Sequence, residues 1–491
     1  MVALAPAAQP QPQAVTQAVT LTLEIDPAGL DALRRSLGLG RARPIRLTWH
    51  DRHGCLAQGG VAVVALHLGR LTTWRTEARS AAVGAPPAIL AEAAALAGLH
   101  GIELPDGGAL DVVQTLRGRV RTGMVGPVAL HQIDGALDNN PGARLVRLLL
   151  SGPAEAVAEM AAPLVPGARV ATRSLSAEAL ALAGVAVPPC PLGAPTLGTG
   201  LAPGAAFAAA ASHLLGVLLH HAPRAAAGET GEAVHQMRVA LRRLRALLGV
   251  FGAVIACPEV TSLRPALKSL AGALGPARDW DVFLSGTGRA VGAAFADTPE
   301  VAGLLDAATV RRAAAYGALA GLLAGPALHE TALRVAILAQ AQPWGADGVS
   351  TDGVSTDGGG DTAAFGADLL ARRWRRLVRR GKHLDTMPEA GLHALRIEAK
   401  RLRYAAEVFA PLFPGRPTRR FLKRLAALQE ALGLLNDGVV AAELMQELAP
   451  AGGDGLAGGM VRGFVAANAA GARQAIARRF KRLRKVGVFP G

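Results

Sequence analysis

The sequence predicts a multidomain chain. An N-terminal α+β domain, built on an antiparallel barrel-like sheet, precedes an all-α region of two helical bundles related by a pseudo-two-fold. Three observations predict this arrangement. Period-two apolar alternation recurs through residues 19–183 and then vanishes. A Pro/Gly-rich stretch, residues 184–204 (GVAVPPCPLGAPTLGTGLAPG), marks the change. Beyond it, Ala/Leu/Arg-rich helical segments recur at a fixed offset.

Taken in order, residues 1–18 are rich in Ala, Pro and Gln and read as a disordered tail. Residues 19–25 (VTLTLEI) alternate as a strand. Asp26-Pro27 opens a helix through Leu37, with Asp26 as N-cap. Further strands are expected at 45–49, 61–68, 115–121, 128–133 and 145–150, and helices at 88–99 and 154–164. These make the domain of residues 19–183, with 184–204 as linker. A first helical bundle spans 205–342. Residues 343–361 (PWGADGVSTDGVSTDGGGD) hold a tandem GVSTD and read as a flexible linker, and a second bundle follows at 362–491.

The two helical parts repeat each other. Residues 234–251 (VHQMRVALRRLRALLGVF) and 392–409 (LHALRIEAKRLRYAAEVF) lie 158 apart and share 7 of 18 positions, among them His, three Arg and the final Phe. The same offset carries LGPARDWDV (274–282) onto LGLLNDGVV (432–440). One offset across two motifs identifies an internal duplication.

Charge points to an acidic partner. The net charge is +15. Residues 1–200 carry 16 Arg and no Lys against 14 Asp and Glu, leaving 36 basic against 23 acidic residues, or +13, for 201–491. Cys55, Cys190 and Cys257 are far apart with no CxxC, which indicates neither a disulfide framework nor a zinc ribbon and favours a reducing compartment. The N-terminus lacks a signal-peptide pattern, and no uncharged apolar run has the length of a membrane span. A cytoplasmic, bacterial protein without membrane or cofactor partners is expected.

On a helix, His235, Arg238, Arg242 and Arg245 fall within an arc of about 80°. Met237, Leu241, Leu244 and Leu248 form the apolar stripe beside them. The second copy offers His393, Arg396, Lys400 and Arg403 in the same way. Like charges at this spacing cost a few tenths of a kcal/mol per pair. Neither arc carries interleaved acids, so a neutralising ligand is the preferred explanation. Arg suits phosphate because its planar fork donates two hydrogen bonds at once. Two more basic segments, RRWRRLVRRGK (372–382) and RRFKRLRK (478–485), could equally be helix ends favoured by the dipole. His235 and His393 lack the companion ligands of a metal site, and His220-His221 point to different faces. Asp279, Asp281 and Asp437 fit caps, or groups that orient the ridge arginines, better than catalytic carboxylates.

The two HxxRVxxRRLR-like segments, each followed by LGxxRDxDV or LGxxND, resemble the CHAD family (conserved histidine α-helical domain) over about residues 205–491. The resemblance implies paired four-helix bundles with a basic central cavity that binds inorganic polyphosphate, often at polyphosphate granules. Carried over, the ligand contacts are His235, Arg238, Arg242 and Arg245 from the first half and His393, Arg396, Lys400 and Arg403 from the second. Arg372, Arg375, Arg376 and Arg379 are further candidates.

CHAD domains often follow a CYTH domain, the triphosphate-tunnel fold, and residues 19–183 resemble a degenerate one. VTLTLEIDP aligns with the family's opening segment, but its ExExK positions fall on Ala18, Thr20 and Thr22. The strand at 61–68 (VAVVALHL) lacks the family's arginines, and 145–150 (LVRLLL) lacks its acids. A tunnel enzyme holds divalent metal with Glu and triphosphate with Lys and Arg, so no catalytic residue and no metal ligand is expected here. The favoured function is therefore polyphosphate binding by the helical region. A triphosphatase is disfavoured by the missing residues. Nucleic-acid binding is disfavoured by 4% aromatics. Docking to other storage granules is left open.

Overall fold

The computed structural model describes residues 18–78, 83–86, 88–94, 109–187, 192–228, 231–344, 361–384 and 386–489. Of the tail expected at 1–18, residues 1–17 lie outside them and Ala18 begins the first strand; most of the second linker and Cys190 also lie outside.

Nine strands among the described residues form one sheet: β1 (Ala18–Ile25), β2 (Arg43–Asp51), β3 (Val61–Leu68), β4 (Leu71–Ala78), β5 (Ala88–Ala93), β6 (Asp111–Val125), β7 (Val128–Leu137), β8 (Asn140–Pro153) and β9 (Ala168–Val170). All neighbours are antiparallel, in the order β5-β4-β3-β2-β6-β7-β8-β1-β9. The β6–β7 turn is two residues long, and Gly126 there takes positive φ as such tight hairpins require. Between strands lie α1 (Leu30–Leu37), α2 (Cys55–Gln58), α3 (Ala154–Ala161) and α4 (Leu175–Leu182). Asp26 caps the turn leading into α1, its Oδ1 accepting from Ala28 N at 2.9 Å.

Helix α4 touches β3, β6 and β8. Three strands separate β3 from β8, so α4 lies inside the curl of the sheet. Its Ala179 and Leu180 share a core there with Leu47, Trp49, Val64, Leu116 and Leu145. Gln114 Nε2 donates to Ala179 O, Ser176 Oγ donates to Glu77, and Arg147 pairs with Glu178. The barrel-like domain is thus a curled half-barrel, compatible with a CYTH-like fold, whose hollow is filled by its own helix.

One expected element differs. Residues 88–99 read as a helix, yet Ala88–Ala93 is the edge strand β5, paired to β4 with Glu77 opposite Ile89. Alanine is the strongest helix former, but intrinsic propensity is a small effect, and pairing to an existing sheet edge outweighs it. Residues 95–99 lie outside the described residues.

The helical region opens with α5 (Pro203–Ala226), α6 (Gly231–Val250), α7 (Pro258–Ala273), α8 (Gly275–Phe283), α9 (Arg289–Ala294), α10 (Pro299–Ala324) and α11 (Pro326–Ala341). The second half holds α12 (Thr362–Arg380), α13 (Glu389–Phe409), α14 (Arg416–Glu447), α15 (Leu456–Ala469) and α16 (Ala472–Arg484). Proline starts α5, α7, α10 and α11, where its missing N–H has no helical partner to lose. Asp361 caps α12, accepting from Ala363 N at 3.2 Å.

The duplication is visible in the packing. Phe207 and Phe365 are 158 apart, as are Phe251 and Phe409. All four rings meet where α5, α6, α12 and α13 converge, with centroids 5.5–6.1 Å apart. Each such ring pair adds about 0.5–1.5 kcal/mol beyond its burial. Gly366 allows the approach, since a Cβ there would sit 2.6 Å from the Phe409 ring. A second seam joins Trp280 and Phe283 to Leu444, Met445 and Val461.

Helix α11 seats the half-barrel, touching β1, β9 and α3. Thr20 N donates to Gln340 Oε1 at 3.2 Å, and Val83 N to Ser212 Oγ at 2.6 Å. The expectation of no membrane-length segment needs correction. Helix α5 has the length and mean hydropathy, 1.3, of a span, although 72% of that stretch is buried in the protein. Packing on α6, α10 and α11 accounts for its apolar circumference.

Candidate functional site in the cleft between the repeated helices

Helices α6 and α13 each bury an apolar stripe: Met237, Leu241, Leu244 and Leu248 in one, Leu395, Ala399, Leu402 and Ala406 in the other. Their opposite faces meet over a cleft. At its centre stand Arg242 and Lys400, equivalent positions of the repeat, with Tyr404 beneath. The Arg242 guanidinium lies 5.5 Å from the Tyr404 ring centre. These three residues line two lobes, one on each side.

The first lobe has a volume of about 870 Å³. Helix α6 gives it Arg242 and Arg245, α7 gives Arg264 and Lys268, α12 gives Arg373 and Arg376, and α13 gives Lys400 and Arg401. Against these eight cations stands one carboxylate, Glu398, which is buried and already accepts from Arg401 at 3.0 Å. Arg373 ties the helices together, donating to Arg401 O at 2.6 Å and Gly249 O at 3.0 Å. Arg264 donates to Leu248 O at 2.9 Å.

The second lobe, about 250 Å³, has four cations, Arg242, Arg396, Lys400 and Arg403, against two carboxylates, Glu407 and Glu430. Arg403 donates to Glu407 at 2.6 Å and to Gln429 at 2.9 Å. The lobes are repeat equivalents that have diverged. Arg245 answers to Arg403, but Gly249 answers to Glu407, and Lys268 to Ala426. The arc of the second copy is therefore not free of acid: Glu407 sits one turn beyond Arg403, within the repeated stretch 392–409 but past the last of its four named cations.

Crowding of cations shows in their protonation. Burial, with Arg401 alongside, pushes the Arg373 guanidinium down to about 10. Burial, with Arg396 and Arg242 alongside, holds the Lys400 ammonium below the usual lysine value. Burial and the neighbouring Arg278 lower His235. An anion in the cleft would oppose the lowering of Arg373 and Lys400.

Of the sequence candidates, Arg242, Arg245, Arg376, Arg396, Lys400 and Arg403 come together here. His235, Arg238, His393, Arg372, Arg375 and Arg379 line neither lobe. Arg238 donates instead to Leu274 O at 3.2 Å and Gly275 O at 3.0 Å, with Asp279 3.7 Å away. Arg372 pairs with Asp368 at 2.8 Å, and Arg375 turns back to Ala371 O. Asp279 thus faces a ridge arginine, whereas Asp281 holds Arg312 and Tyr316, both at 2.7 Å. The side chains of Asn436 and Asp437 lie outside the described ones. Arg264, Lys268, Arg373 and Arg401 escaped the sequence reading. Arg264 and Lys268 carried a signal, a like-charge i,i+4 pair on one helix.

In the half-barrel, the positions aligned with the charged opening motif are Ala18, Thr20 and Thr22. Thr20 is spent on Ser151, 3.0 Å away, and Thr22 is buried. The hollow is packed with apolar side chains around α4. Among the described residues no group of three or more His, Cys, Asp or Glu could hold a metal ion.

Residues 209–446 match the family described as CHAD domain. Among solved structures, the chain is similar to the CHAD domain from the plant Ricinus communis, at 30% identity and a TM-score of 0.49 over 60% of this chain and 95% of that one. It is also similar to PptA from Streptomyces chartreusis, at 20% identity and a TM-score of 0.43 over 57% of this chain and 100% of that one. No curated protein matches it.

Proposed function

Because the chain belongs to the CHAD family through its helical residues 209–446, we propose that it binds inorganic polyphosphate in the cleft between α6 and α13, without covalent chemistry. The observation that carries this reading is the first lobe, with eight cations around one already paired carboxylate. Such a lobe is self-repelling when empty, and a linear polyanion relieves the repulsion along its whole length. Arginine forks bind the phosphate oxygens bidentately, and Lys268 and Lys400 act as point charges. Long reach and weak shape demand suit a flexible phosphate chain better than a base-reading ligand. Tyr404 is the one aromatic ring lining the lobes, which supports little base stacking.

The filled hollow of the half-barrel supports a role as a platform on α11 rather than as a triphosphatase. The protein would then act in the cytoplasm at polyphosphate granules, as a binder and not as an enzyme. Titration of labelled polyphosphate across a salt series, with single-stranded DNA as competitor, tests the reading. Binding should weaken steeply with salt by counterion release, prefer polyphosphate over DNA, and disappear in Arg242→Ala/Lys400→Ala. Stronger competition by DNA, or full binding by the folded double variant, would overturn it. Phosphate release from tripolyphosphate with Mg²⁺ or Mn²⁺ would overturn the non-enzymatic part.

A further inference from the structure

On the outer side of the second bundle, a groove of about 590 Å³ runs between the turn after α12 and helix α16. The turn supplies Lys382, and α16 with its last residue supplies Arg478, Lys481, Arg484 and Lys485. All five are exposed, no carboxylate lines the groove, and none of the five has an ion pair among the described residues. The floor is Phe480, packed so closely on Gly381 that a Cβ there would meet its ring at 2.1 Å. That contact fixes the two basic segments side by side, although they are about a hundred residues apart in sequence.

The bland account is that cations gather at helix C-termini to offset the dipole. That effect falls off within the last turn, and Arg478 lies six residues before the end of α16. Two other arginines of the same helix give the contrast. Arg473 donates to Met387 O, and Arg479 donates to Ala427 O and pairs with Glu430. Arg473 and Arg479 are satisfied within the protein, and the cations that line the groove are left as an open row.

Helix α12 links this row to the cleft. Arg373 and Arg376 line the first lobe, Arg379 and Arg380 are exposed further along, and Lys382 borders the groove. The nine residue steps from Arg373 to Lys382 span about 14 Å at the rise of an α-helix. We propose that the outer groove is a second phosphate-chain site, and that a long chain held in the cleft continues over α12 into it. This rests on the cleft reading and adds a prediction that the cleft alone does not make, namely that affinity depends on chain length through α16.

The test uses the full-length protein, titrated with tripolyphosphate and with long-chain polyphosphate. The variants are Arg478→Ala/Lys481→Ala/Arg484→Ala/Lys485→Ala in the groove and Arg379→Ala/Arg380→Ala on the track, with thermal melting to establish folding. Each should weaken long-chain binding by about tenfold or more, as expected when a second linked site is lost, and leave tripolyphosphate binding unchanged. Unchanged long-chain affinity would overturn the second site. Equal losses for both lengths would overturn the continuation and leave only a general field effect. If wild type binds neither length, the cleft reading falls and this one with it. If wild type binds both lengths and the groove variants weaken only DNA binding, the groove belongs to another polyanion and the proposal fails alone.

Discussion

Two lobes flank the Arg242–Lys400 centre, and both descend from the same helix pair. In the first, Arg264 and Lys268 of α7 face Arg245, Arg373 and Arg376, with Gly249 at the rim. In the second, the residue equivalent to Lys268 is Ala426, and the one equivalent to Gly249 is Glu407, which holds Arg403 at 2.6 Å. The residues that set the crossing of the helices did not diverge in this way, since the paired phenylalanines Phe207/Phe365 and Phe251/Phe409 still meet. Packing fixes the repeat because a buried ring has few substitutes of the same shape. Surface charge is free to drift, so one lobe keeps a nearly unneutralised field while the other is half neutralised by its own carboxylates.

Among changes that separate the two lobes, the largest expected effect comes from removing that field. Arg245→Ala/Arg264→Ala/Lys268→Ala should weaken polyphosphate binding by about 100-fold, on the order of 3 kcal/mol. It should also flatten the salt dependence by about 2 in log–log slope, at about 0.7 per contact as for single-stranded nucleic acids. Arg403→Ala in the second lobe should change affinity by less than about threefold, because a half-exposed arginine already paired with Glu407 has little left to offer a ligand. Equal losses in the two lobes would remove the distinction between them.

Transplanting the difference comes next. Nothing lies within 4 Å of a Cβ built on Gly249, so Gly249→Glu should fold and place in the first lobe the carboxylate that Glu407 gives the second. About a tenfold loss of affinity is expected from one added charge at this range. The reverse change, Glu407→Gln, releases Arg403 and should strengthen binding by about threefold, within the range for partly exposed ion pairs. Calorimetry on both variants reads the two signs, and a gain from Gly249→Glu would break the comparison.

The smallest effect is on pH. The Lys400 ammonium in the folded protein lies below the usual lysine value. Between the two values the unfolded chain binds more protons, so ligand-free stability contributed by this group rises with pH there. A bound anion restores the charged form, so affinity falls with pH over the same window. Melting with and without tripolyphosphate should therefore show converging curves in alkaline buffer, less so for Lys400→Arg. Parallel curves for both proteins would remove Lys400 from the site.

Much of this was legible in single-helix geometry. The offset of 158 and the cationic arcs need only a period of 3.6 and a count. Arg373 and Arg401 were not legible, because their place in the lobe follows from how α12 and α13 pack on α6. Arg238 shares the arc, yet its guanidinium reaches the carbonyls at the α7–α8 junction, a partner no helical wheel displays. In the half-barrel, the lost charges could be read from the strands. That α4 fills the hollow could not, since its eight residues carry almost no amphipathic pattern of their own.

The most direct measurement is a crystal structure of the protein with tripolyphosphate. The account predicts phosphate groups between Arg242 and Lys400, extending toward Arg245, Arg264 and Lys268 in the first lobe. Phosphate held in the half-barrel, or seated on Arg396 and Arg403 with the first lobe unused, would contradict it.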